Sequence, residues 1–427
     1  MEPTMADADN CPSTLRRRSL TNPALSADLK NPDLHMRADL HDVYDALRHG
    51  APVRWNPELE GPGFWAVLGY DEAAEVIKRP ALFSADFRRG GMRMFDVQAV
   101  SACPRPHLLS LDPPDHTAFR RDLRTLFEPP AVEAELPRIR ARAVALIDTV
   151  APCGAADFVS QIALPYTVGL LTDLLDVPEI DGPLLAEWAN IMMGDDDPEF
   201  QVTPQDRLRK FEAFDRYFLT LLDRDAACGA DGILARLRAV TFEGEPVDTE
   251  TVLVNAAAFL VAASETTRHA LSRMVTALTD FPEQRQKLLA DRSLIPSAVK
   301  EVVRWASPLK HVRRTATADT ELAGVRIAAG DKVVVWYDAA NHDPRIWPDA
   351  DRFRVERFAA RGCPAHLGFG AGVHHCLGWR FAEAQIAVLL SESLDRLPDI
   401  RVVEGAARLR SNFVSGFKRL PVAFTPA

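Results

Sequence analysis

No stretch of this sequence is apolar for long enough to cross a bilayer. The longest such run, AAAFLVAA at 256–263, falls far short of the ~20 residues a spanning helix needs. An excess of positive charge is also missing. A formal net charge of −10 argues against nonspecific nucleic-acid binding and against adhesion to acidic membranes. Cysteine is sparse and scattered: Cys11, Cys103, Cys153, Cys228, Cys363 and Cys376 show no paired spacing. That disfavours a disulfide framework and points to a reducing, cytoplasmic setting. The run Arg16-Arg17-Arg18 has no apolar core behind it, so the N-terminal stretch reads as neither a signal peptide nor an anchor. What is present is an ordinary soluble composition, with 47% hydrophobic residues over 427 positions and therefore material for a large core.

No internal repeat and no linker long enough to divide the chain is visible, so a polar, proline-containing leader over 1–30 and one domain over 31–427 are expected. Residues 40–48 have the spacing of an amphipathic helix. PVRWNP and GFWAVLGY alternate as a hairpin would, and DEAAEVIK reads as a short helix stopped by Pro80. Residues 84–114 keep no period and carry Gly90-Gly91. They form either a substrate lid, for which Arg88, Arg89, Met92, Arg93, Met94 and Phe95 are suited, or a solvated loop. From His116 to 246 the pattern is mainly helical.

Residues 248–281 are the longest helix candidate, capped by Asp248 or Thr249 and closed by Pro282. At ~1.5 Å per residue this is a rod of roughly 50 Å, whose apolar middle should cross the core. Ser264, Glu265, Thr266 and Thr267 nevertheless occupy that middle. An unpaired buried carboxylate is costly, which favours a functional role. In the next helix, 295–308, Glu301 and Arg304 share one face among Val299, Val302 and Val303, as a partly buried pair would. TELAGVRIAAGDKVVVWYDAANHD then reads as strand, PRIWPDADRFRVERF as a meander, and SNFVSGFKRLPVAF as a final hairpin.

The chemistry concentrates in HLGFGAGVHHCLGWR, residues 366–380. Gly368, Gly370 and Gly372 make a tight loop, and a long apolar helix pattern follows Cys376. A cysteine at a loop-to-helix junction is expected to be stabilised as a thiolate by free N–H groups and the positive helix end. Such a thiolate suits haem iron. The rival is zinc, since Cys363, His366, His374, His375 and Cys376 lie close in sequence, although adjacent histidines diverge and no second short ligand pair follows.

Taken together, these features resemble the bacterial, soluble cytochrome P450 family over nearly the whole length. The haem-loop pattern F-G-x-G-x-H-x-C-x-G is met by Phe369, Gly370, Gly372, His374, Cys376 and Gly378. The E-x-x-R pair is Glu301 and Arg304, joined by Arg357 in FRVER. The H-x-x-x-R clamp is His116 and Arg120, ETT matches Glu265-Thr266-Thr267, and Arg314 fits the propionate-binding arginine. The resemblance implies a mainly α fold with small β-sheets (α+β), triangular, with a long central helix over the cofactor. It implies heme b on the Cys376 thiolate, with His116, Arg120, Ala263, Arg314, Phe369, Gly370 and His374 around it, and O2 as co-substrate. Glu265 and Thr266 would relay protons, and Glu301, Arg304 and Arg357 would be structural. Ala262-Ala263 stand where many relatives have Ala-Gly, so the local bend should depend on Thr266 bonding back to the Ala262 carbonyl.

Electrons are expected from a separate ferredoxin and its reductase, docking near Arg121, Arg124 and Arg380, and the enzyme should be a monomer. By resemblance, Met92, Met94, Phe95, Phe259, Ala262, Leu309, His311, Val312 and Val414 line the substrate pocket. Arg88, Arg89, Arg93, Lys310 and His311 hint at an acidic or carrier-protein-tethered substrate, and the resemblance implies a specialised-metabolite pathway. The expected reaction is hydroxylation or epoxidation. Alternatives are oxidative coupling, N-oxidation or peroxide-driven chemistry on the same fold, and, in another class, a non-catalytic haem or zinc-binding protein.

Overall fold

The computed structural model describes residues 27–59, 61–94, 105–228 and 232–426, with side chains left aside at 226–228. One helix sets the frame. Thr249–Asp280 begins where the Asp248 carboxylate accepts the Thr251 N–H at 2.8 Å, and it ends two residues before Pro282. Val252, Ala256, Leu260, Leu271, Val275 and Leu278 are buried along it. It packs against the helices Leu164–Leu174, Gly182–Met193 and Ile295–Ala306, which explains its apolar circumference. Its middle is the exception. Ala262 is exposed, and Val261, Ala263 and Thr266 are half-buried.

The helix Pro129–Val150 starts on a proline pair, whose missing N–H groups cost nothing in a first turn. It runs unbroken through Pro137 and buries Ile139, Ala143 and Ile147 on one face. That face and the helix Trp379–Arg396 pack together.

The main sheet has five strands in the order Val53–Asn56, Phe64–Val67, Lys332–Trp336, His311–Ala316 and Phe83–Ser84. The first pair is the expected antiparallel hairpin, with Trp55 opposite Trp65, and Lys332–Trp336 joins it in parallel. His311–Ala316 then pairs antiparallel, with Val312 opposite Val335. Both faces are covered, which is why KVVVW and HVRRTA show no exposed residue.

Several expectations change. The leader falls outside the described residues up to 26, but 27–30 are packed: Leu29 is buried, and Lys30 pairs with Glu58 at 2.6 Å. YDAAN, read as strand, is a short helix, Tyr337–Asn341. The final hairpin does not form. Phe417–Arg419 pairs with Ala407–Arg408, whereas Pro421–Ala423 joins a separate sheet with Arg401–Val402 and Ala155–Asp157. Leu420 alone separates the two strands, too little chain to turn on itself. In the 84–114 stretch, Phe87–Arg89 and Leu108–Ser110 form short helical turns. Phe95 lies outside the described residues. Among the described residues no helix is long and apolar enough to cross a membrane.

Candidate active site

The cysteine loop is held by its own backbone. The Cys376 N–H donates to the Phe369 carbonyl at 2.8 Å, and Gly370 N–H to the Leu367 carbonyl at 2.8 Å. Gly370 and Gly372 sit at φ +66° and +64°, where a side chain would be strained. The next helix starts at Trp379, behind Gly378. Burial pushes the Cys376 thiol above its ordinary range, and the Gly378 N–H and Arg120 offset this only in part. A metal cation on the sulfur would favour the thiolate. Cys376 still keeps some surface open although protein surrounds it.

Four nitrogen-bearing side chains from three chain regions converge nearby. The rings of His116 and His374 lie 4.2 Å apart between centroids. Burial, then Arg120 and Arg314, lowers His116 to about 4; burial, then Arg314, His116 and Arg120, lowers His374 to about 2. His116 Nδ1 and His374 Nε2 are buried without a hydrogen-bond partner. A set of donors in a shared positive field, with Asp112 the carboxylate that acts on Arg314, fits the two propionates of haem. Ala262, exposed in the middle of the central helix, and half-buried Ala263 leave room for a flat group. Phe127 links the two sides: a Cβ on Gly378 would lie 3.8 Å from its ring, which stacks on Phe259 at 6.5 Å.

On the central helix, the Thr266 hydroxyl donates to the Ala262 carbonyl at 2.9 Å. The helix stays continuous there. Glu265 is buried but, against expectation, not unpaired. Arg268 Nη2 donates to its Oε2 at 2.5 Å, and His269 Nε2 stands 3.3 Å from the same oxygen. Burial alone would push the carboxyl up, but Arg268 and His269 outweigh it and hold it below its ordinary range. Both partners were legible as i+3 and i+4 neighbours on one helix face.

Behind the cysteine loop, Arg304 grips Glu301, and Arg357 Nε donates to Glu301 Oε1 at 3.0 Å. Arg357 also bonds the carbonyls of Pro348, Asp349 and Arg352, pinning the meander. Asn341 is the residue sequence reasoning missed. Its Oδ1 accepts the Leu367 N–H at 2.7 Å, and its carbonyl accepts Arg304 Nη1 at 2.8 Å. It thus joins the Glu301–Arg304 helix to the cysteine loop.

The pocket residues are only partly brought together. Leu309 and Val414 form a β-bridge. Met94 and His311 line a cavity of about 260 Å³ with Arg93, Met193, Asn412 and Phe413. Val312 is buried in the main sheet, Met92 bonds Arg313 through its carbonyl, and Phe259 stacks on Phe127. Of the cations, Arg88 is already paired with Asp86 and Glu243, and Lys310 donates to the Ser411 carbonyl at 2.9 Å. Arg93 sits 4.0 Å over the Phe413 ring. Arg121, Arg124 and Arg380 are exposed, the first two paired with Asp122 and Glu128. The proposed zinc ligands near Cys376 do not assemble. Among the described residues the one group with metal-ligand spacing is His41, Asp338 and His342, elsewhere in the fold. There the His41 and His342 rings stack at 3.7 Å.

The sequence profile of the family described as Cytochrome P450 matches residues 220–398. The chain is 37% identical over 405 residues to the linalool 8-monooxygenase of Pseudomonas putida, covering 93% of this chain and 99% of that protein. It is 33% identical over 415 residues to a methyl-branched lipid omega-hydroxylase of Mycobacterium tuberculosis, covering 93% and 95%. Among solved structures, a Mycobacterium marinum cytochrome P450 in complex with pseudoionone superposes with a TM-score of 0.85 at 29% identity, covering 93% of this chain and 98% of that one.

Proposed function

The chain belongs to the cytochrome P450 family of monooxygenases, and from that premise we propose that it hydroxylates a small, largely apolar, methyl-branched substrate of terpenoid type. The observation that carries this reading is the buried pair of unpartnered imidazole nitrogens, His116 Nδ1 and His374 Nε2, beside Arg120, Arg314 and the cysteine loop. These residues suit the propionates of haem, with Cys376 as the iron ligand and Ala263, Phe369 and Gly370 around the ring. Haem with a cysteine thiolate supplies O2 activation and the oxidation of an unreactive C–H bond. The rest falls to the protein.

In this reading Glu265 takes protons from solvent and passes them toward Thr266, whose hydroxyl holds the last proton of the relay. Glu301, Arg304, Arg357 and Asn341 keep the cysteine loop in register. The branched apolar substrate is favoured over an acidic one on two grounds. Two relatives are named for linalool and methyl-branched lipid, and a third was solved in complex with pseudoionone. Arg88 and Lys310, two cations that would have met an acid, are engaged by protein oxygens. Substrate enters past Met94, His311 and Phe413. Electrons come from a ferredoxin and its reductase at the face bearing Arg121, Arg124 and Arg380. The enzyme works in the cytoplasm, as a monomeric single domain, on specialised metabolites.

Two measurements test this. The reduced carbon monoxide complex must show the red-shifted Soret band of a haem-thiolate protein. Titration with linalool, geraniol, a methyl-branched fatty acid and a steroid, followed by the low- to high-spin shift, must favour a branched terpenoid. A preference for the fatty acid would overturn the substrate class and leave the enzyme class standing.

A further inference from the structure

Glu265 has two partners, and only one is a permanent cation. Arg268 binds Oε2 and reaches Asn190 of the helix Gly182–Met193 at 3.3 Å, while His269 approaches the same oxygen from the next turn. A guanidinium has no lone pair, so Arg268 can hold the carboxylate but cannot accept a carboxylic O–H. Imidazole can do either: one tautomer donates from Nε2, the other accepts there.

The setting of His269 is restrictive. The ring is fully buried, and neither nitrogen is aligned for a hydrogen bond. Its Nδ1 edge lies against Gly416, where any Cβ would overlap the ring. Gly416 lies just before the strand Phe417–Arg419 and is needed here for space. Oε1 of Glu265 is likewise buried without a partner. A small rotation of the Glu265 side chain therefore exchanges an Arg268-bound carboxylate for a His269-bound carboxyl inside the same enclosure.

We propose that His269 is a positioning residue for proton delivery, receiving the Glu265 side chain once it has taken up a proton, with Gly416 keeping the ring in place. This rests on the reading of Glu265 and Thr266 as the relay. A proton from solvent bonds to a Glu265 carboxylate oxygen, the Arg268 ion pair opens, and the new O–H donates to His269 Nε2. On delivery that O–H bond breaks, the proton leaves toward Thr266, and the carboxylate returns to Arg268. No electron changes hands.

The test uses the haem-loaded full chain and the terpenoid alcohol that gives the largest spin shift. His269→Leu should lower product formed per NADH about tenfold, the low end for a partner that orients a working group, with the carbon monoxide band unmoved. His269→Gln, whose amide both donates and accepts, should restore most of it. Gly416→Ala, which forces the ring aside, should match His269→Leu and add nothing to it in the double variant. Independently of turnover, the infrared carboxyl band that appears on acidification and is missing in Glu265→Gln should move to the higher frequency of an unbonded carboxyl in His269→Leu. Parental coupling or an unmoved band in His269→Leu overturns the inference. Should Glu265→Gln itself couple normally, the relay reading falls. Should it uncouple while His269→Leu does not, only the role of His269 falls.

Discussion

Arg304 holds both oxygens of Glu301, at 2.7 and 2.8 Å, and neither side chain reaches solvent. The pair has further duties. Glu301 Oε1 also accepts the Arg354 N–H at 2.9 Å, and Arg304 Nη1 donates to the carbonyls of Asn341 and Ala350. Three stretches distant in sequence are thereby fixed around one buried charge pair.

Removing Arg304 strips Glu301 Oε2 of its donor and leaves the buried carboxylate held at Oε1 alone, by Arg357 and the Arg354 N–H. Arg304→Ala should destabilise the fold by about 3–5 kcal/mol and abolish haem incorporation, because the support of the cysteine loop goes with it. Arg304→Lys should fare little better, since an ammonium cannot reproduce the two-oxygen grip. Thermal unfolding and the haem-to-protein absorbance ratio measure both. A stable, haem-replete Arg304→Ala would show the network to be dispensable.

Asn341→Ala isolates the link that sequence reasoning missed. It removes the acceptor of the Leu367 N–H and the donor to Ser307 Oγ at 2.9 Å. A buried donor left unpaired costs about 1–3 kcal/mol. The loss should show as a lower unfolding midpoint and faster haem transfer to apomyoglobin, with the carbon monoxide band still that of a thiolate complex.

What could be read from sequence follows from how local the cause is. The central helix announced itself through Asp248, its apolar circumference and Pro282, all within one segment. The cysteine loop did so through its glycines. Glu265 was read as unpaired although Arg268 and His269 stand at i+3 and i+4, because burial was judged without asking which neighbours share the face. The C-terminal strands misled for a different reason. Their partners Ala155–Asp157 and Ala407–Arg408 are only three and two residues long, too short to show a period. Asn341 gave no local sign, since its partners Leu367, Ser307 and Arg304 come from other segments.

Thr266→Ala separates oxygen use from cofactor binding. The hydroxyl bonds only within its own helix, to Ala262, so its loss should cost little stability. The carbon monoxide band should be unchanged, whereas product per NADH should fall about 10²-fold, the lower end for a positioned proton donor, with hydrogen peroxide released instead. Normal coupling would remove Thr266 from the relay and leave Cys376 as the assigned ligand.

In the haem-free chain the sulfur should be sluggish. Burial keeps the Cys376 thiol above its ordinary range, whereas Cys153 is exposed. Only the thiolate reacts, so iodoacetamide at pH 8 should label Cys153 well before Cys376, with the Cys376 rate rising about tenfold per pH unit toward alkaline values. Mass spectrometry of the alkylated peptides gives both rates. Fast labelling of Cys376 at neutral pH would mean that the Gly378 N–H and Arg120 outweigh burial after all.

The fold should also be acid-labile, for a reason away from the cysteine. Burial, then Arg93 and Lys310, lowers His311 to about 3; burial, then His41, lowers His342 to about 3; burial lowers His107 to about 4. Unfolded histidine titrates near 6.5, so between that value and each folded value the unfolded chain binds more protons than the native one. Stability is therefore full above pH 6.5 and falls as pH drops toward 4, by about 1.4 kcal/mol per unit for each such histidine. Urea midpoints measured at pH 7.5 and 5.5 should show the loss. His311→Gln should flatten the slope, because its amide can still donate to the Asn412 carbonyl that His311 Nδ1 meets at 3.0 Å, and it cannot take up a proton. An unchanged slope in His311→Gln would mean that His311 charges as readily in the fold as out of it.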